Sequence, residues 1–285
     1  KWAPNDEWQY EDLCCARFGF AASNAVQQMM QKAAGKAAQP GLFILEAPMG
    51  MGKTEAALAA SEILAEKRQE GGLAFFLPSQ ATANAMNERV SGWAGQFAQW
   101  APLSYELAHG KAMLNKEFAA LAEHAMSVNE DASLTTEFSP DAPAGLSAHA
   151  FFLGRKTQLL ADFVVGTVDQ FLLGALKQRH LMLKHLGLAG KVVVVDEVHA
   201  YGQYMNRFLD SMLSWLGAYQ TPVILLSATL PGKRRRELVQ AYLPEAPADG
   251  AALEEERAYP LLTWTDGAAV HTETVALSAP PTEVE

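Results

Sequence analysis

Ala47-Pro-Met-Gly-Met-Gly-Lys-Thr54 is the stretch that decides the fold of this 285-residue chain. The apolar run Leu42 to Leu45 precedes it, separated only by Glu46. The Ala- and Glu-rich segment Glu55 to Lys67 comes directly after it, with apolar residues at helical spacing. A strand, a small-residue loop ending in Lys-Thr and a helix form the arrangement that binds a nucleoside triphosphate. The sequence therefore predicts a phosphate-binding loop (Walker A motif, or P-loop) at this point.

The positions of the P-loop have separate physical roles in the predicted ATP site. Gly50 and Gly52 let successive backbone N–H groups point at phosphate oxygens, and the N-terminus of the next helix adds positive partial charge. Lys53 is expected to reach the β- and γ-phosphates, and the hydroxyl of Thr54 to hold Mg²⁺. The remaining predicted ATP-binding positions of the loop are Ala47, Pro48, Met49 and Met51.

Composition restricts the class of protein. Hydrophobic residues make up 49% and charged residues 19%, which is typical of a globular chain with a sizeable core. We expect no membrane contact, because no apolar run approaches the roughly 20 residues of a membrane span. The adjacent pair Cys14 and Cys15 fits neither a disulfide framework nor a zinc site, so we expect a cytoplasmic location. A net charge of −10 argues against a bulk basic nucleic-acid binder.

Strand and helix patterns alternate along the chain, which predicts an α/β fold with a parallel sheet covered by helices on both faces. We expect a lead-in at 1–40, a lobe at 41–245 and an exit segment at 246–285. The stretch Ser127 to Ala148 reads as an exposed insertion, because acids, Ser, Thr, Pro and Gly replace periodic hydrophobic residues. Leu261 to Trp264 is a further strand candidate.

A second acidic site follows the apolar strand Val192 to Val195. Asp196 and Glu197 are expected at the carboxyl end of that strand, where open α/β sheets bind ligands. Asp196 would accept hydrogen bonds from Mg²⁺-bound water, and Glu197 would orient and deprotonate the attacking water. His199 is a candidate to sense the γ-phosphate, and the alternative is a structural histidine. The alternative is an acidic turn without chemistry, which the P-loop upstream disfavours.

Other strand ends carry hydroxyl and amide side chains. Ser227 and Thr229 could couple the nucleotide site to a neighbouring lobe, or simply cap a strand end. A second set suits the phosphates of a single nucleic-acid strand without base readout, or else serves as helix N-caps. That set comprises Ser79, Gln80, Thr82, Thr167 and Gln170.

The basic cluster Lys233-Arg234-Arg235-Arg236 opens a late helix. Positive charge at a helix N-terminus is unfavourable, so a nucleic-acid phosphate is one candidate partner and a solvated helical turn is the alternative. The first interpretation predicts that reversing these charges weakens DNA binding and its salt dependence.

Together, the motifs resemble the first RecA-like lobe of a superfamily-2 helicase, and most closely the CRISPR-associated helicase–nuclease of type I systems. The resemblance runs through about 20–235. Its most specific elements are Asp196-Glu-Val-His-Ala-Tyr201 and Gly166-Thr-Val-Asp-Gln170. The other blocks are Glu46 to Glu55, Leu77-Pro-Ser-Gln-Ala-Thr-Ala-Asn-Ala-Met86, Gly154-Arg-Lys156 with Leu159 to Val165, and Ser227-Ala-Thr-Leu-Pro231.

The resemblance implies a P-loop NTPase of RecA-like fold that uses ATP and Mg²⁺ to move 3′ to 5′ along single-stranded DNA and feed a linked nuclease. It also implies recruitment by a Cascade surveillance complex during defence against foreign DNA, and adenine recognition by Gln27 or its neighbour Gln28. The family's nuclease uses a His-Asp metal site, and none of the seven histidines here precedes an Asp. The chain therefore resembles one lobe of a longer protein that also has a second RecA-like lobe and a His-Asp nuclease domain.

Two other interpretations stay open. The chain could be a nucleotide-gated docking module whose main role is to bind a partner, or a lobe of a superfamily-2 RNA helicase. On the motor interpretation we expect weak ATP hydrolysis by the lobe alone, since the arginine finger of the second lobe is missing.

Overall fold

The computed structural model describes residues 2, 4, 13–98, 102–109, 146–147, 157–176, 180–245 and 250–276. The strands in these residues are β1 (Leu42–Glu46), β2 (Leu73–Leu77), β3 (Leu103–Ala108), β4 (Leu146–Ser147), β5 (Phe163–Thr167), β6 (Val192–Val195), β7 (Val223–Ser227), β8 (Leu261–Asp266) and β9 (Ala269–Thr274). The α-helices are α1 (Leu13–Phe18), α2 (Ala25–Lys36), α3 (Lys53–Arg68), α4 (Gln80–Gly95), α5 (Val168–Leu172), α6 (Leu181–Leu188), α7 (Gln203–Ala218), α8 (Gly232–Tyr242) and α9 (Gly250–Glu255).

All nine strands belong to one sheet in the order β4-β3-β5-β2-β6-β7-β1-β8-β9. The seven strands from β4 to β1 run parallel, whereas β8 and β9 are antiparallel additions at one edge. Parallel strands end at the same edge of a sheet, so the carboxyl ends of β1, β7, β6, β2 and β5 lie side by side. The predicted α/β fold with a mainly parallel sheet is confirmed.

Helices cover both faces of the sheet, and this explains why its central strands are apolar throughout. Alternate residues of β1 belong to two different hydrophobic clusters: Phe43 and Leu45 to one, Leu42 and Ile44 to the other. The first cluster includes residues of α2, α3 and α4, and the second includes residues of α7 and α8. A strand buried on both faces needs no polar alternation.

The end of the described chain differs from the expected exit segment. The strand candidate at Leu261 to Trp264 corresponds to β8, which pairs with β1 on one side and with β9 on the other. Because β8 lies between two strands and its residues 261–265 are buried, the sheet continues past position 245 into the segment expected to lead out of the lobe.

The predicted insertion at Ser127 to Ala148 lies outside the described residues, apart from the two residues of β4. The Gly154-Arg-Lys156 block also lies outside them. None of the helices in the described part of the chain has both the length and the apolarity needed to cross a membrane.

Candidate functional site

The P-loop connects the end of β1 to the start of α3. Gly50 and Gly52 both have positive φ angles, 78° and 67°, in the region that favours glycine. At Gly52 a side chain would also collide with a neighbour, because an added Cβ would lie 2.5 Å from Nε2 of Gln27. The positive φ is the main reason for glycine at this position, because the end of the Gln27 side chain could move away from an added Cβ.

The P-loop and the acidic site after β6 face each other across a cavity of about 750 Å³. Lys53 and Thr54 line one part of it, and Asp196 and Glu197 line another. This proximity follows from the sheet order, in which only β7 separates β6 from β1. Two sequence blocks far apart in the chain thus contribute to one site.

The other predicted loop residues occupy different positions around this cavity. Met49 and Gly50 line it together with Gly52. Ala47 is buried beneath the loop, and Ala47, Pro48 and Met51 are not among the lining residues.

The ammonium group of Lys53 is held at the loop by backbone carbonyls. Its Nζ donates to the carbonyl of Ala47 at 2.7 Å and to that of Pro48 at 3.1 Å. Burial lowers the pKa of Lys53, while the negative charges of Asp196 and Glu197 act in the opposite direction. The cation is therefore positioned where the phosphates of a nucleotide would enter the loop.

Asp196 is a half-buried carboxylate with few compensating donors. Burial raises its pKa to about 6. Two groups act in the opposite direction and lower the pKa: the backbone N–H of Glu197, which donates to Oδ1 at 2.8 Å, and the positive charge of Lys53. This carboxylate and the hydroxyl-bearing Thr54 line the same cavity, and together they offer the hard oxygen donors that Mg²⁺ prefers. The residues present therefore fit a magnesium ion.

Glu197 adopts a backbone conformation that is uncommon for a residue with a side chain. Its φ is 54°, in the left-handed region, and this costs on the order of 1–3 kcal/mol. The turn is supported by Tyr201, whose hydroxyl donates to the carbonyl of Asp196 at 2.8 Å. In this turn the adjacent Asp196 and Glu197 both line the same cavity.

His199 lies outside the cavity lining and connects two strand ends instead. Its Nδ1 is 3.3 Å from both the hydroxyl of Ser227 and the backbone nitrogen of Ala228. Ser227 Oγ also donates to the carbonyl of Thr229 at 2.8 Å. The predicted coupling residues are thus linked to the acidic motif through His199.

Of the two candidate adenine-reading glutamines, only Gln27 lines the cavity. Its Oε1 accepts the backbone N–H of Asn24 at 2.9 Å, which completes the N-terminal cap of α2. Asn24 in turn donates through Nδ2 to the carbonyl of Met51 in the P-loop, at 3.1 Å. The side chain of Gln28 points elsewhere and donates to the carbonyl of Ser23 at 3.0 Å.

Sequence reasoning missed six other residues of the cavity wall: Phe20, Ala21, Ala22, Asn24, Glu55 and Arg89. Phe20 lines it with its ring partly exposed, and Arg89 lines it while paired with Glu55. The aromatic residue shortly before the cap of α2 is a signal that could have indicated Phe20. The contact between Arg89 and Glu55 depends on how α4 packs beside α3, so no local pattern indicates it.

The predicted nucleic-acid residues lie at the ends of two neighbouring strands, because β2 and β5 pair with Leu77 opposite Thr167. Ser79 and Thr82 are exposed and cap α4 reciprocally: Ser79 Oγ accepts from Thr82 N at 3.2 Å, and Thr82 Oγ1 accepts from Ser79 N at 3.1 Å. Gln80 is exposed, Gln170 is half-buried and Thr167 is buried. Ser79 and Thr82 fit both interpretations, helix cap and phosphate contact. Thr167 fits neither, because its side chain makes no cap hydrogen bond to α5 and is buried away from a passing strand.

The basic cluster at the start of α8 is paired with carboxylates of the same chain. Arg234 contacts Asp210 at 2.7 Å, Arg235 contacts Glu46 at 2.7 Å, and Arg236 contacts Glu254 at 2.9 Å. Lys233 lies 4.0 Å from Glu237. These pairs remove the physical reason for expecting an external phosphate here. A merely solvated turn does not describe the cluster either, because Arg235 is buried.

Comparison with known proteins agrees with this geometry. Residues 145–238 match the DEAD/DEAH box helicase family. The chain is 43% identical over 95% of its length to the CRISPR-associated nuclease/helicase Cas3 of Streptococcus thermophilus, and 40% identical over 78% of its length to the CRISPR-associated endonuclease/helicase Cas3 of Thermus thermophilus. It spans only 30% and 23% of those two proteins.

Solved structures give the same result. The T. fusca Cas3-ATP structure matches with a TM-score of 0.75 and 32% identity, over 95% of this chain and 29% of that one. The T. fusca Cas3-ADP structure matches with a TM-score of 0.74 and 32% identity, over 91% of this chain and 28% of that one. A chain of a CRISPR RNA-guided surveillance complex in a pre-nicking state matches with a TM-score of 0.59 and 30% identity, over 87% and 24% of the two chains. The chain is therefore a homologue of the helicase region of CRISPR-associated Cas3 proteins, with the RecA-like fold of that region.

Proposed function

We propose that this chain is the first motor lobe of a type I CRISPR helicase–nuclease, and that it couples ATP hydrolysis to movement along single-stranded DNA. The observation that carries the proposal is the single cavity lined by Lys53, Thr54, Asp196 and Glu197. The relatives solved with ADP and ATP support a nucleotide as its ligand.

Each side chain then has a defined task. Lys53 neutralises the β- and γ-phosphates, and Thr54 and Asp196 hold Mg²⁺, which supplies further charge neutralisation when bound. Glu197 orients the attacking water and accepts its proton. Gln27 and the ring of Phe20 hold the adenine, because both lie in the wall of the same cavity.

The DNA path, the other domains and the recruiting complex are inferred from the relatives. A single DNA strand would run along the carboxyl ends of β2 and β5, past Ser79, Gln80, Thr82 and Gln170. A second RecA-like lobe would supply the arginine finger, and a His-Asp nuclease domain of the same longer protein would cut the strand. The matched surveillance-complex chain supports recruitment by Cascade. We propose that this action takes place in the cytoplasm.

The test is ATP hydrolysis by this chain with and without single-stranded DNA, repeated after adding the separately expressed downstream lobe. We expect weak turnover alone and DNA-stimulated turnover with the added lobe, because an arginine finger contributes roughly 10³–10⁵ in rate in related hydrolases. Glu197→Gln is the control and should bind ATP without hydrolysing it. Robust DNA-stimulated turnover by the chain alone would contradict the proposal, and stronger stimulation by RNA would favour an RNA helicase.

A second role, as a nucleotide-gated docking module, is favoured by an apolar patch on α6 and the end of α7. Met182, Leu186, Trp215 and Tyr219 are all exposed there, and His185 packs against both aromatic rings. Lys53→Ala should abolish nucleotide binding. If it leaves binding to the surveillance complex intact, the lobe has both roles and the nucleotide does not gate docking, whereas loss of that binding would support gating.

A further inference from the structure

A buried ion pair lies at the point where β1 becomes the P-loop. Glu46 is the last residue of β1, and Nε of Arg235, from α8, donates to its Oε1 at 2.7 Å. Both side chains are only 4% exposed. Burying two charges costs desolvation free energy that a well-packed apolar pair does not, so stability alone does not account for this pair.

Glu46 is in a position to control the P-loop. In the sheet it lies between Ser227 of β7 and Leu261 of β8. The next residue, Ala47, donates its N–H to the carbonyl of Ser227 at 3.2 Å and accepts the ammonium of Lys53 at 2.7 Å. A displacement of Glu46 would therefore move the carbonyl that holds the phosphate-binding lysine.

Arg235 also holds a second segment, residues 253–260, which we call the connector. Nη1 of Arg235 donates to the carbonyls of Leu253 at 2.7 Å and Glu256 at 3.3 Å. The connector contacts the turn after β7 as well, where the hydroxyl of Tyr259 donates to the carbonyl of Ala228 at 2.8 Å. One guanidinium thus joins the base of the P-loop to the connector.

We propose that Arg235 is a positioning residue for the P-loop, acting through Glu46, and that it couples the loop to the connector. A planar guanidinium carries its donors on separate nitrogens in a fixed fork, so Nε holds the carboxylate while Nη1 holds two carbonyls. A lysine would have to reach all three acceptors from one nitrogen. This proposal rests on the proposed function only where nucleotide affinity is measured, because the other measurements need no nucleotide.

The experiment compares three variants of the chain. The double variant Glu46→Met with Arg235→Met removes both charges and leaves no buried charge unpaired. Arg235→Lys keeps the charge but loses the fork. Arg236→Met is the matched control, because Arg236 also reaches toward the connector, at Glu254, but is more exposed and does not contact Glu46. Each variant is measured for thermal unfolding, for affinity for a fluorescent ATP analogue with Mg²⁺, and for hydrogen exchange of the backbone amides of residues 47 and 49–53 without nucleotide.

We expect the double variant to unfold near the parental temperature, to bind the analogue about tenfold more weakly and to exchange the loop amides faster. A tenfold loss corresponds to one charge-assisted hydrogen bond out of place. Arg235→Lys should show a smaller loss, and Arg236→Met none.

A folded double variant with parental affinity and parental loop exchange would overturn the proposal. If the double variant does not fold, the Arg235→Lys variant provides the test. Parental affinity and parental loop exchange in that variant would also overturn the proposal. If the parent itself does not bind the analogue, the proposed function fails, and hydrogen exchange still tests Arg235 independently.

Discussion

Gln27 has an observed role as a helix cap and a proposed role in holding the adenine, and mutation can separate the two. Its Oε1 caps α2 through Asn24, while its Nε2 lies against Gly52 of the P-loop. Glutamate at this position can still accept the capping hydrogen bond but has no side-chain donor for the base.

We therefore predict that Gln27→Glu weakens ATP binding roughly tenfold, the effect of losing one or two hydrogen bonds and placing a negative charge beside the nucleotide. The matched control is Gln28→Glu, which makes the same charge change one residue later on an exposed side chain outside the cavity. Isothermal titration with ATP measures both affinities. Equal losses in the two variants would show that Gln27 does not contact the nucleotide.

Glu106 of β3 is a buried acid away from the nucleotide cavity. Burial raises its pKa to about 8, although Gln158 donates to Oε1 at 3.1 Å. Oε2 has no hydrogen-bond partner among the described residues. Between its ordinary pKa and this raised value the folded state keeps a proton that the unfolded chain has released, so stability falls as pH rises through this range.

Glu106→Gln should remove this pH dependence, because the amide is neutral at every pH. We expect a gain in the free energy of unfolding on the order of 2 kcal/mol at alkaline pH and little change at acidic pH. Urea denaturation at pH 5 and pH 8.5 measures the difference, with the exposed Glu255→Gln as control. A gain of the same size at both pH values would mean that ionisation of Glu106 is not the cause.

At the scale of elements, helices α7 and α8 approach closely enough to exclude a side chain. A Cβ added at Gly217 of α7 would lie 2.0 Å from the carbonyl oxygen of Tyr242, the last residue of α8. In contrast, a Cβ at Gly92 of α4 would meet nothing within 4 Å. The two glycines are both helical but differ in what surrounds them.

This contrast predicts opposite signs for the same substitution. Gly217→Ala should lower stability by about 1–3 kcal/mol, because α8 must move away from α7. Gly92→Ala should raise stability by about 0.5–1 kcal/mol, because alanine favours the helix and contacts nothing. Thermal unfolding measures both. A neutral Gly217→Ala would show that the two helices can separate without loss.

At the scale of the whole molecule, charge limits how this lobe can hold DNA. The net charge is −10, and the basic cluster of α8 is paired internally. The side chains at the ends of β2 and β5, along the proposed path of the DNA strand, carry hydroxyl and amide groups. Such groups contact phosphates without releasing many counterions.

We therefore predict weak binding of single-stranded DNA by the isolated lobe, with a shallow salt dependence. The slope of log affinity against log salt should be smaller in magnitude than about 2, since each neutralised phosphate contributes roughly 0.7. Fluorescence anisotropy with labelled oligonucleotides from low to moderate salt measures it. A steep slope that becomes shallow in Lys233→Glu would restore the basic cluster as a DNA contact.

The sequence by itself determined the features that depend on neighbouring residues. A strand, a glycine loop and a helix follow one another directly at the P-loop, and an apolar strand runs directly into Asp196 and Glu197. The spacing of apolar residues within each segment identified strands and helices. The alternation of strands and helices along the chain then indicated a parallel sheet. Even the strand at Leu261 to Trp264 was visible in this way.

Only the tertiary structure decided which distant residues meet. It selected Gln27 over Gln28 for the cavity, placed His199 beside Ser227, and joined the sheet edge at β8 to β1. It also paired Arg235 with Glu46, 189 positions away. Such contacts follow from the order of the strands and from how the helices pack on the sheet. Neither the strand order nor the helix packing can be predicted from a local sequence pattern. The residue types needed at the site are therefore recognisable from short motifs, while the relative positions of those residues are determined by the fold.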